Sequence, residues 1–155
     1  MAHATASIAD VNYFVALKAG THVLTADEPV ERGGKDAGPA PYELLTGALA
    51  ACTAITLRMY AERKQWPLGP VEVEAHFKRL PDKTTWIDRV LKLTGPLTDE
   101  QRARLADIAD NVHLPAIDGL HNDRRIRLRD QLGCSFLDRR LQLIRRQTGG
   151  LKIVQ

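Results

Sequence analysis

The sequence predicts an α+β domain, with antiparallel sheet wrapped around one long apolar helix and a second helix beside it. Three stretches carry this prediction. Residues 44–57 hold no charge and are mostly Leu, Ala and Ile, too short a run for a membrane span, which needs ~20 apolar residues. Residues 71–78 (VEVEAHFK) alternate apolar and polar side chains, the period of a half-buried strand. Residues 12–17 and 21–26 are short β-prone runs joined through Lys18, Ala19 and Gly20, as in a hairpin.

That hairpin puts Tyr13, Val15 and Leu17 on one face, and Gly20 supplies the positive φ of its turn. Residues 27–40 are rich in Gly, Pro and charge and form a loop. The long helix is expected over 41–64. Pro41 suits a first helical position, where its missing N–H costs nothing. Glu43 sits at the positive end of the helix dipole, Lys64 lies in the last turn, and Pro67 prevents continuation. A helix apolar on nearly every side must be covered on nearly every side, by the rest of the chain or by a second subunit.

Strand 71–78 turns Val71, Val73, Ala75 and Phe77 inward, and residues 80–83 turn the chain into a less regular strand over 85–94. Thr98 and Gln101 have the spacing of a capping box. The helix they open runs to about Asp110 and is expected to bury Ala103, Leu105, Ala106, Ile108 and Ala109. Ile126 and Leu128, set between arginines, mark a last short strand within 122–129. Beyond it, Ser135 can cap a short helix carrying Leu137, Leu141 and Ile144 on one side, with Gly149 and Gly150 at its end. The expected division is one domain over 1–130 and a basic, partly helical extension over 131–155.

The length suits one domain with its own core, and 44% hydrophobic with 26% charged residues is ordinary globular composition. No basic-plus-apolar leader is read at the start, so a cytoplasmic location is expected. Two cysteines 82 positions apart make no disulfide framework, and no Cys/His spacing reads as a zinc site, so no cofactor is expected. The net charge of +3 is uneven: residues 124–155 carry +7 and the remainder −4. A basic tail can contact nucleic acid or an acidic partner. This one has no paired Cys/His and no stacking aromatic besides Phe136, so a solvated face is expected and nucleic acid is not.

Residues 38–64, GPAPYELLTGALAACTAITLRMYAERK, resemble the core helix of the OsmC/Ohr family of osmotically inducible and organic hydroperoxide resistance proteins. The resemblance is to a subgroup whose core helix opens GPxPYELL. Upstream it takes in Ala26-Asp27-Glu28-Pro29 and Gly33-Gly34. Downstream it takes in Gln65-Trp66-Pro67-Leu68, Ile87-Asp88-Arg89 and Gly95-Pro96-Leu97, covering roughly residues 10–110 in order. It implies a small thiol-dependent peroxidase acting on organic hydroperoxides, built as an intertwined homodimer with active sites near the interface. It also implies reduction by a lipoylated protein or a small thiol, and it places the reactive cysteine at Cys52.

The candidate catalytic residues are Cys52, Glu43 and Arg32. A peroxidatic thiol attacks as the thiolate, and an unperturbed thiol, with pKa ~8.5, is only a few per cent ionised at neutral pH. Cys52 is eleven residues past Pro41, beyond the reach of the helix dipole, so a cation is needed. In the family that cation is an arginine. Arg58 and Arg63 are six and eleven residues along the same helix, neither an i±3 nor an i±4 neighbour. The loop arginine, Arg32, is the candidate, beside Gly33-Gly34, where a mobile loop could fold it over the thiol. Glu43 either holds the activating arginine or only favours the helix N-terminus, by ~0.3–1 kcal/mol. Cys52 also has a plain reading, because free cysteine packs as a small hydrophobe. The flanking Ala-Ala-Cys-Thr-Ala, matching the family's reactive position, favours the chemical one.

The family's second cysteine follows its second helix in a Cys-Pro-Val-His stretch. Here the chain reads Ile108-Ala109-Asp110-Asn111-Val112-His113-Leu114-Pro115, with no thiol. Cys134 could replace it only if the tail folds back to within the ~7 Å Cα separation that a disulfide allows. An incidental surface thiol is the preferred reading of Cys134, and His113 and His121 read as polar surface residues rather than bases. Three functions stay in view: a peroxidase resolved by an external thiol, a catalytically silent relative binding a small apolar ligand in the same pocket, and an interaction protein using its basic tail. The peroxidase is the expected one.

Overall fold

A computed structural model describes residues 2–79, 81 and 85–112, together with the backbone of 125–129. The first sheet is antiparallel, in the order β1 (Ala4–Ile8), β2 (Val15–Ala19), β3 (His22–Ala26). A single 3-10 turn, Val30–Arg32, lies in the loop before α1 (Pro41–Lys64). The second sheet holds β4 (Val71–Arg79), β5 (Thr85–Leu93) and β6 (Arg125–Arg129), with α2 (Asp99–Asn111) between β5 and β6. β4 and β5 pair antiparallel from Val71 opposite Leu93 to Arg79 opposite Thr85. β6 joins β5 in parallel, a pairing that needs a crossover, and α2 supplies it. This is the α+β class that the sequence predicts. The C-terminal extension, with Cys134, and His113 and His121, lie outside the described residues.

α1 begins and ends where its sequence signals stand. Pro41 is its first residue, and Gln65, at φ 54, closes it by donating its amide to Ala61 and Glu62. The buried residues of α1 are Leu49, Thr53, Leu57 and Ala61, four apart and therefore one line down the helix. Leu57 and Ala61 enter a core with Leu68, Leu91, Leu93, Leu97, Leu105 and Ala109. Each fully buried leucine contributes ~1.5–3 kcal/mol relative to exposure. α2 is capped by the reciprocal bonds of Thr98 and Gln101, at 3.2 and 3.0 Å. It buries Leu105 and Ala109 and half-buries Ala106 and Ile108, whereas Ala103 is exposed.

One expectation is met only in part by the single chain. On the side of α1 away from the core, Ala48, Ala51, Ile55 and Met59 are exposed, Ile55 to 60% and Met59 to 58%. The first sheet is equally bare: every residue of β1 is exposed, and Val23 is 76% exposed. By length and composition alone α1 could cross a membrane, a test that the core helix of a globular protein also passes.

Candidate active site

Cys52 lies on α1 one residue before the buried Thr53 and one after the exposed Ala51. It therefore sits on the border between the core stripe and the bare apolar stripe and is half-buried. A side chain there is shielded by protein on one side and reachable from the other.

Arg32 closes the 3-10 turn and is largely exposed. Its guanidinium pairs with Glu28 at 3.3 Å, an exposed i,i+4 contact of the kind worth little. The loop carrying it is built rather than slack. Asp27, buried at the end of β3, accepts the amides of Glu28 (2.8 Å), Lys35 (3.0 Å) and Ala37 (3.2 Å). Gly34 lies so close to the Glu28 carbonyl that a Cβ would stand 1.8 Å from that oxygen. Burial alone would raise the Asp27 carboxyl, but the amides of Ala37, Lys35 and Glu28 and the Lys35 charge outweigh it and hold it below the usual carboxylate range.

Glu43 turns back on its own helix. Its Oε2 accepts the Ala40 amide at 2.9 Å, half of a capping box whose other half Ala40, with no side-chain acceptor, cannot make. One carboxylate oxygen remains for a second donor. No hydrogen bond or ion pair joins Cys52, Glu43 and Arg32 to one another within the single chain, among the described residues.

One buried residue, bonded to Thr53, the chain neighbour of Cys52, escaped the sequence reading of the site. Arg89, in the middle of β5, is 2% exposed. It occupies the inward row Ile87, Arg89, Leu91, Leu93, of which the other three are core side chains. Its Nη1 donates to the Thr53 hydroxyl at 3.1 Å and to the Val112 carbonyl at 3.0 Å. Thr53 in turn donates its hydroxyl to the Leu49 carbonyl at 2.8 Å. A buried cation is thus fixed between the cysteine helix and the C-terminal end of α2. The next residue of β5, Asp88, is also buried and takes Lys78 at 2.6 Å. The usable signal was an arginine at an inward position of an alternating strand.

The groove between the end of α1 and the start of α2, lined by Tyr60, Lys64, Trp66, Thr98, Glu100, Gln101 and Arg104, is a separate feature. Eight residues separate Tyr60 from Cys52, ~12 Å along the helix.

The fold is that of a known family of proteins. The family model described as OsmC-like protein matches residues 33–114, and this chain belongs to that family. No curated protein matches it. Among solved structures, an OsmC like protein from Mycoplasma pneumoniae is 16% identical with a TM-score of 0.69, over 83% of this chain and 96% of that one. An organic hydroperoxide resistance protein OsmC from Legionella pneumophila is 24% identical with a TM-score of 0.62, over the same shares. The organic hydroperoxide resistance protein OhrB of Bacillus subtilis is 17% identical with a TM-score of 0.59, over 83% and 98%. At these identities the likeness establishes the fold.

Proposed function

We propose that the protein is a cytoplasmic thiol peroxidase that reduces organic hydroperoxides through Cys52 and works as a homodimer. The observation that carries the reading is the place of Cys52: half-buried at the midpoint of the central helix of an OsmC-like fold, at the edge of an apolar face that the single chain leaves bare. The names of the Legionella and Bacillus proteins agree with the substrate class. A second copy on the bare face would enclose the thiol in apolar surroundings suited to a bulky hydroperoxide. The working unit is residues 1–130, with 131–155 as an addition to it.

The Cys52 thiolate attacks the terminal oxygen of ROOH, the O–O bond breaks, and the alkoxide leaves and takes a proton to become the alcohol. Sulfur is oxidised by two electrons to the sulfenic acid, and the hydroperoxide is reduced by two. No thiol stands between Ile108 and Val112, so an external thiol, from a lipoylated protein or a small molecule, attacks the sulfenic sulfur and releases water. A second thiol then frees Cys52 and leaves as the disulfide. Arg32, released from its weak pair with Glu28, serves as the activating cation, and the free oxygen of Glu43 holds it.

The test uses the Cys134→Ser variant, treated with substoichiometric cumene hydroperoxide, labelled with a sulfenic-acid probe and weighed intact. An adduct mapping to Cys52 is expected. A Cys52 thiol that ignores peroxide and is alkylated only in denaturant would leave the silent, ligand-binding relative as the better reading.

A further inference from the structure

We propose that the groove between the end of α1 and the start of α2 is a second binding site, suited to a small aromatic carboxylate. The inference goes beyond the peroxidase reading and does not rest on it, because Cys52 is not among the residues that line this groove.

The groove holds about 630 Å³, in the range of small-molecule sites, and is open to solvent on one side. One wall is a pair of aromatic rings placed by the end of α1. Gln65, at φ 54, reverses the chain, and the Trp66 amide then donates to the Ala61 carbonyl at 2.9 Å. That turn brings the indole back to the ring of Tyr60, edge to face at 5.5 Å. Both rings are half-buried against the core that holds Leu57, Ala61 and Leu68. Packing therefore fixes one side of the pair, and the other side lines the groove. The opposite wall is the first turns of α2, which reach across where Arg104 Nε donates to the Tyr60 hydroxyl at 3.5 Å.

The polar groups left over in the groove select the ligand. Lys64 lies 5.9 Å from the centre of the Tyr60 ring, and its ammonium has no carboxylate partner among the described residues. The Trp66 indole N–H donates to none of the described residues. Gln101 spends its side-chain oxygen on the Thr98 amide, so its NH2 group remains to donate. The Thr98 hydroxyl accepts the Gln101 amide and keeps its own proton for a ligand. Against these donors stands one carboxylate in the lining, that of Glu100, since Asp107 is held by Arg104 outside it. A site rich in unused donors beside an aromatic wall suits an anion with a planar apolar body. The body packs on Trp66 and Tyr60, and its carboxylate takes charge-assisted hydrogen bonds from Lys64 and its neighbours. A cationic ligand is disfavoured, because Lys64 already occupies the cation–π position over Tyr60.

The experiment titrates 2-naphthoate into the full-length protein and follows the indole N–H resonances of Trp66 and Trp86 by NMR, assigned with Trp66→Phe. The Trp66 resonance should shift and saturate in the millimolar range, and that of Trp86, on β5 and outside the groove, should stay in place. The neutral analogue 2-naphthalenemethanol should bind about fivefold more weakly, and Lys64→Gln should weaken the carboxylate by the same factor, the upper end for one exposed ion pair. Lys64→Gln should leave the alcohol unaffected. Glu100→Gln should tighten the carboxylate about twofold by removing a like charge. Lys64 and Glu100 are both exposed, so neither substitution endangers the fold. A Trp66 resonance that stays still, or moves without saturating, would overturn the site. Equal binding of the alcohol, or of the carboxylate to Lys64→Gln, would overturn recognition of an anion. Weaker binding to Glu100→Gln would show that Glu100 shapes the groove instead of opposing the ligand, and it would overturn the charge assignment. None of these readouts involves Cys52, so the peroxidase can fail while this site stands, and the reverse.

Discussion

The carboxylate of Asp27 accepts the backbone amide of Lys35, eight residues further on, at 3.0 Å. With the amides of Glu28 and Ala37 on the same group, one buried side chain organises the whole loop that presents Arg32. Its pKa is held below the ordinary value of ~3.9, so the sign is fixed: the carboxylate stabilises the loop fully above about pH 4, and that contribution is lost as pH falls through the lowered native value. NMR shifts of the Lys35 and Ala37 amides should therefore stay constant from pH 8 to about pH 4 and move only below it. A midpoint above the ordinary carboxylate range would contradict the arrangement. Asp27→Ala should broaden both amides at neutral pH and leave those of α2 unchanged.

Two glycines should respond to alanine with opposite signs. A Cβ on Gly95 would stand 1.8 Å from the Pro67 carbonyl oxygen, in a junction of backbone with no side chain to move aside. Gly95→Ala should cost ~1–3 kcal/mol. Gly47, on α1, has nothing within 4 Å of the added carbon, and alanine there should stabilise by ~0.5–1 kcal/mol through the unfolded state and helix propensity. Urea midpoints measured side by side check both, and a reversal of either sign would contradict the packing described here.

The bare stripe of α1 makes a prediction about assembly. On a monomer, a substitution at Ile55, 60% exposed, should alter stability by no more than ~0.5 kcal/mol. In the dimer proposed here the same position is covered by the partner, and a carboxylate would be buried without a counter-charge. Light scattering at micromolar concentration should give a dimer for the parent protein and a monomer for Ile55→Glu, with the helical signal retained. A monomeric parent would refute the proposed assembly.

Most of this fold was legible because its signals are local. Pro41 and Pro67 bracket α1, the Thr98–Gln101 pair opens α2, and period-two alternation marks β4. β1 was missed for a physical reason. Ala4–Ile8 alternates Ala4, Ala6 and Ile8 with Thr5 and Ser7, but the run is short, its apolar face is mostly alanine and it is exposed throughout, so the alternation is a weak strand signal. Arg89 was missed differently. It appeared within a stretch resembling the family, yet an arginine in an inward row looks like an irregular strand until Thr53 and Val112 are known to lie beside it. Those partners are 36 and 23 residues away, a separation no local pattern records. Arg32 and Glu43 were legible as residue types, but the chain turns them to Glu28 and Ala40.

The chemistry of Cys52 without a second thiol leads to the last prediction. In a two-cysteine cycle the sulfenic acid is consumed at once by an internal disulfide. Here α2 ends at Asn111 and Val112, and Cys52 is the one cysteine among the described residues. The sulfenic acid should therefore survive until an external thiol arrives. In the Cys134→Ser variant, one equivalent of cumene hydroperoxide should add one oxygen to the intact mass, and dithiothreitol should remove it. Excess peroxide should add a second oxygen, giving the sulfinic acid that dithiothreitol cannot reverse. Glutathione supplied with the peroxide should protect against that second step and replace the added oxygen by a mixed disulfide. A mass loss of two protons in the Cys134-containing protein at one equivalent would instead reveal an internal Cys52–Cys134 disulfide, and it would end the single-thiol account. Failure of the second oxygen to appear under excess peroxide would mean that the sulfenic acid is shielded as soon as it forms, and the proposed access of an external reductant would then be wrong.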